Sequence, residues 1–434
     1  MNIDVDLNRW LPCQSRCELA GAASFFLSIK NSSILINGPR WCAMVAEREM
    51  AAAEKKYEKQ MFCSEVKEVD LLYGADEAMQ SALDEIKNEQ KPDLIAVLNS
   101  CSVSLIGDDL KGICKNADMG CPVIPMDSGG LRGEFWHGYQ IAVQKLLENL
   151  DLKTDCKRKN NKINIIGWCT AYPNWLGDLL EIKRMLKKIN IEVGICLGAD
   201  GVTVKTLERL PEAALNMVLH PELGLNAAEF LKEKLGQDYV IAPIPYGMQN
   251  SLHWLKKIAS SLNLKPDFSE IENEIAYNQE KIDTAIFQLK ANNKKISFGN
   301  AYLCLTEGMS IGIVKALVNE FPDLNDIYLR VEGPVESNLM NEIFALTSEW
   351  KNYSDKHTRK NDLDLVLGNT QTRVEAANYK NTIFMNILLP YQGVIVHERP
   401  YAGITGWKFL LADIFDKFQT LVYLNPALED DIIC

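Results

Sequence analysis

No apolar run in this 434-residue chain reaches the length of a membrane span. Basic excess is missing too: the net charge is −12, so the phosphate-binding footprint of a nucleic-acid partner is absent. The opening stretch, MNIDVDLNRWLPCQSRC, is acidic and polar and lacks the order of a secretory signal, which predicts a cytoplasmic protein. No Walker A sequence occurs, and GWCTAYPNWLG (167–177) is no dinucleotide fingerprint, so the chain has no nucleotide site of its own. The cysteines are scattered and show none of the compact spacings of a ferredoxin or zinc motif.

What the chain does contain is a repeated pattern. Short β-branched runs end at turns and are followed by helical periodicity. Such runs occur at 32–39, 93–101 and 121–128, at 163–168, 192–198, 215–221 and 239–245, and at 295–301, 326–333, 363–369 and 383–390. Near-continuous apolar runs suit strands covered on both faces, and their alternation with helices suits parallel βαβ units. The helical stretch 177–190 sets Leu179, Ile182, Met185, Leu186 and Ile189 on one stripe; 227–236 repeats the pattern and stops at a glycine. Polar segments at 152–162 and 288–295 divide the chain. The expected architecture is α/β, with three doubly wound, Rossmann-like domains of parallel strands. They span 1–155, 156–290 and 291–434, the last ending in a helix, and the length suits several cores. Ligands of such sheets sit beyond the carboxyl ends of the strands.

Twelve cysteines in a reducing compartment are buried small hydrophobes or thiolate ligands rather than disulfides. Cys17, Cys42 and Cys101 all fall where a strand or loop passes into a helix. There, unpaired N–H groups and the positive helix end lower a thiol pKa. Soft thiolates suit iron–sulfur clusters. Asp108 and Asp109 resemble a carboxylate pair but are placed to cap a helix after Gly107. Phe135, Trp136 and Tyr139 in EFWHGY read as helix core.

Four ordered segments carry a family resemblance. CELAGAASFFLSIKNSSILINGPRWC (17–42) resembles the stretch between the first two cluster cysteines of nitrogenase component 1 proteins. EVDLLYGADEAMQSALDEI (68–86), LIAVLNSCSVSLIGDDLKGI (94–113) and MDSGGLRGEFWHGYQIAV (126–143) are similar to the family segments that follow, and the similarity runs on to HERPYAGITGW (397–407). The resemblance implies that Cys17, Cys42 and Cys101 ligate a [4Fe-4S] or P-cluster-type [8Fe-7S] cluster at a subunit interface. It implies as partners a homologous component 1 subunit, in a heterodimer or heterotetramer, and an ATP-dependent iron protein as electron donor. No nucleic acid and no membrane are expected. A second metal cofactor would belong mainly to the partner subunit. In this chain only His220, near the place of a missing cofactor cysteine, and His397, in HERPYAGITGW, could bind one. Phe135, Trp136, His137 and Tyr139 stand where catalytic subunits have Gln, Ser and His, which disfavours dinitrogen. APIPYGMQNSLHWLKKI (242–258) looks like the partner, β-type subunit. The implied activity is that of a subunit of a two-component reductase, with a methylthio-alkane as preferred substrate. A scaffold for assembly of a nitrogenase-type cofactor and a tetrapyrrole reductase subunit are the alternatives. Cys13, Cys114 and Cys121 are lesser ligand candidates, and Cys63, Cys156, Cys169, Cys196, Cys304 and Cys434 read as packing or surface thiols.

Overall fold

The computed structural model describes residues 17–50, 60–153, 156–199, 201–292, 298–321, 324–349, 363–376, 382–389 and 398–424. They form three wholly parallel sheets. The first contains β1 (Ser32–Asn37), β2 (Met61–Cys63), β3 (Leu94–Asn99) and β4 (Val123–Asp127) in the order β2-β1-β3-β4. The second contains β5 (Lys159–Ile166), β6 (Glu192–Cys196), β7 (Ala213–Val218) and β8 (Tyr239–Ile241), ordered β6-β5-β7-β8. The third contains β9 (Phe298–Leu305), β10 (Ile327–Val331), β11 (Ser348–Glu349), β12 (Leu363–Gly368) and β13 (Thr382–Asn386), ordered β11-β10-β9-β12-β13. Every strand predicted from the apolar runs is present. The two that were not predicted, β2 and β11, are too short to show a pattern.

Each sheet reverses its order once: between β1 and β3, between β5 and β7, and between β9 and β12. Adjacent loops leave in opposite directions there and open the crevice where doubly wound sheets bind ligands. The central strands β1 and β3 are buried at every position, as a sheet covered on both faces requires.

By packing, the first sheet and its helices make one compact unit, and the second and third sheets together make another. A single apolar core runs through the latter, from Ile163 and Met217 to Leu303 and Leu367, with Trp407, Leu410 and Ile414 of the helix Gly403–Leu424. Two expected linkers are partly ordered structure. Residues 159–162 are the first residues of β5, and 288–292 complete the long helix Ser269–Asn292. Their polarity reflects exposure rather than irregular backbone. The stripe Leu179, Ile182, Met185, Leu186 and Ile189 is buried, and Gly236 ends the helix Pro221–Leu235 in the left-handed conformation.

Within this second unit, Asp178 accepts hydrogen bonds from the N–H groups of Tyr401 (2.6 Å) and Ala402 (2.8 Å), just before the helix Gly403–Leu424. Burial pushes its carboxyl up to about 7 despite these bonds. A raised folded-state pKa stabilises below the unfolded value of 3.8, and that contribution is lost as pH rises through about 7. Asp178→Asn stays neutral throughout. The parent should therefore lose on the order of 2–4 kcal/mol relative to the variant between pH 4 and pH 8. Parallel chemical denaturation of the two proteins across that range measures it, and a constant difference would refute it.

Candidate metal centre

The three cysteines singled out from the sequence come together at the carboxyl end of the first sheet, at its switch point. Cys17 immediately precedes the helix Glu18–Leu27, Cys42 lies in the first turn of Arg40–Met50 after β1, and Cys101 begins Cys101–Ile106 after β3. Glycines let them approach. A Cβ at Gly130 would stand 2.9 Å from Cys17 Sγ and 3.8 Å from Cys101 Sγ, so both sulfurs line one bare stretch of backbone. A Cβ at Gly129 would lie 2.9 Å from Cys101 Cα. Cys42 joins them: the charges of Cys17 and Cys101 act on its thiol, and Ser100 hydrogen-bonds it. Asp127, at the end of β4, holds this glycine turn by accepting from Ser104 and pairing with Arg132.

All three thiols are half-buried. The lowering expected from helix N–H groups is present at Cys17, whose sulfur is bonded by the amides of Leu19 and Ala20, but burial outweighs it and the thiol lies above its ordinary value. Burial pushes Cys42 up to about 11, with neighbouring cysteines adding to it. The Cys17 and Cys42 thiols are therefore protonated at neutral pH, and a metal must displace those protons. Among the described residues, no three His, Cys, Asp or Glu side chains converge closely enough for a single ion. Soft donors and a glycine cradle fit an iron–sulfur cluster, which Cys17, Cys42 and Cys101 would hold.

Glu18 follows Cys17 and is fully buried, with His137 Nδ1 3.3 Å from its carboxylate. Burial raises its carboxyl, while His137 and Arg132 pull it back. Phe135, Trp136 and Tyr139 are core, and His137 is half exposed.

Residues 17–419 match, as one stretch, the family described as nitrogenase component 1 type oxidoreductase. The chain belongs to that family. Among curated relatives, the nitrogenase iron-molybdenum cofactor biosynthesis protein NifE of Clostridium pasteurianum is 27% identical over 74% of this chain and 71% of its own. The nitrogenase vanadium-iron protein beta chain of Trichormus variabilis is 23% identical over 91% and 90%. A subunit of the light-independent protochlorophyllide reductase of Chloroflexus aggregans is 28% identical over 42% and 33%. A solved structure, nitrogenase Cp1 at pH 6.5, superposes with a TM-score of 0.75 at 18% identity, covering 95% of this chain and 93% of that one. The likeness is one of fold.

His220 ends the segment after β7 and is buried, its Nδ1 2.9 Å from Glu222, between the rings of Tyr172 and Trp168. Glu222 in turn accepts from the N–H of Gly308 at 3.0 Å, so this histidine is engaged in joining the second sheet to the third. His397, Cys13 and Cys434 lie outside the described residues. Asp109 caps the helix Leu110–Asn116 through Gly112 N–H, and Asp108 accepts instead from Ala75, at the start of Asp76–Glu89. Cys114, Cys169, Cys196 and Cys304 are core. Cys63, read from the sequence as a packing or surface thiol, ends β2 on the same edge as the other three. The sequence signal for it was an apolar triplet, MFC, too short to be taken for a strand. No helix among the described residues is long and apolar enough to cross a membrane.

Proposed function

We propose that this chain is a redox subunit of a nitrogenase-like two-component reductase, relaying electrons from an ATP-dependent iron protein towards a reducible substrate. The meeting of Cys17 and Cys101 at the Gly129–Gly130 turn, with Cys42 close enough for their charges to act on it, carries this reading. A cluster bound there supplies one-electron transfer. The chain's own residues supply the thiolates and a glycine backbone that keeps side chains off the sulfurs. They also supply a half-buried setting whose N–H groups at Leu19 and Ala20 tune the sulfur charge.

A partner subunit over this edge is supported by exposed apolar side chains beside the cysteine segments. Trp41 (68% exposed) and Met44 flank Cys42, Leu105 (74%) follows Cys101, and Leu131 (74%) follows Gly130. Leu72 and Tyr73 are exposed on the helix Glu68–Tyr73, which packs against Cys101–Ile106. A surface rarely gathers such residues unless another protein covers them. The partner is a homologous subunit, and the substrate is organic, such as a methylthio-alkane. The named cofactor-biosynthesis relatives favour a second reading, a scaffold that builds a metal cofactor and passes it on. Anaerobic co-purification with co-expressed partners, metal analysis and assay with iron protein and ATP separate the two. Iron with sustained product formation supports the reductase. Iron without turnover supports the scaffold, and an iron-free complex rejects both.

A further inference from the structure

Four thiols stand at the carboxyl edge of the first sheet. Cys63 pairs in register with Ile36 of β1, and its half-buried Sγ lies 3.3 Å from the carbonyl oxygen of Gly38. Cys42 rests on the same Gly38–Pro39 link, its N–H donating to the Pro39 carbonyl at 2.9 Å. Gly38 also abuts Ser100, whose hydroxyl bonds the Cys42 thiol. Cys63 is near enough for its charge to act on Cys42. The backbone amide of Glu65 also bonds its sulfur. The Gly38 carbonyl also accepts the N–H of Val66 at 3.1 Å, so Cys63 can turn away without leaving a buried acceptor unpaired.

We infer that Cys63 is a fourth thiolate ligand, and that Cys17, Cys42, Cys63 and Cys101 together give this single chain a complete ligand set for a four-iron cluster. This rests on the cluster reading above but alters its consequence: closure of the cluster needs no sulfur from the partner. On ligation the Cys63 thiol releases its proton to solvent and its sulfur bonds iron, with no change of oxidation state. Cysteine offers the soft donor that iron–sulfur chemistry selects, where Ser64 beside it offers only a hard hydroxyl.

The test uses the full chain, purified anaerobically without partners and reconstituted with ferrous iron and sulfide. The parent should hold about four irons, and Cys63→Ser about three, with the electron paramagnetic resonance signal of an oxidised three-iron cluster. Cys63→Ala should match Cys63→Ser, and circular dichroism should show both folded. A parent and a Cys63→Ser variant with the same four-iron content and spectrum would overturn the fourth-ligand assignment and leave the three-cysteine site intact. A parent that takes up no iron would overturn both.

Discussion

Cys42→Ala should emerge from anaerobic purification colourless, with its iron lost and its secondary structure retained. The loss should exceed the roughly 10–100-fold in affinity that removing a supporting outer partner costs, because here a metal–sulfur bond itself is gone. The fold should survive because Cys42 is half-buried on the first turn of its helix, and truncation to alanine leaves no polar group stranded. Absorbance, metal analysis and circular dichroism on one preparation decide the matter. Full retention of iron would remove the middle thiolate from the site, and with it the proposed redox role.

Gly21→Ala should do the reverse, damaging the scaffold first and the metal site only as a consequence. The helix Glu18–Leu27 meets the start of Phe135–Asn149 backbone to backbone. A Cβ at Gly21 would overlap the Phe135 carbonyl, 2.7 Å from its carbon, and one at Gly138 would lie 2.6 Å from the carbonyl carbon of Glu18. Both obstacles are main chain and cannot rotate away. The helices must separate, and overpacking of this kind costs about 1–3 kcal/mol or more. Since Glu18–Leu27 also positions Cys17, iron content should fall in step with stability rather than before it. Thermal unfolding of parent and variant tests this; an unchanged midpoint would mean that the contact is looser than the backbone geometry implies.

The fold was legible because its signals are local. Runs such as SSILIN and LIAVLN are apolar without alternation, which only a strand covered on both faces tolerates, and the stripe at 177–190 has no other use than packing. Cys42 and Cys101 could be set at strand-to-helix transitions for the same reason: each follows an unmistakable strand by a few residues. The strand that ends at Cys63 was not legible, because three residues have no periodicity. Its place comes from register with β1, a contact made across the sheet. His220 shows the same limit, since its partner Glu222 is close in sequence but Gly308, which completes the arrangement, is not.

Composition, patterning and spacing by themselves determined an α/β chain of three parallel sheets, without membrane span or nucleotide loop, with thiols at the ends of its strands. The tertiary structure decided which thiols meet, how far burial overrides the helix ends in setting their acidity, and which glycines allow the approach. These are matters of distance between segments far apart in the chain, on which both burial and Coulomb forces depend.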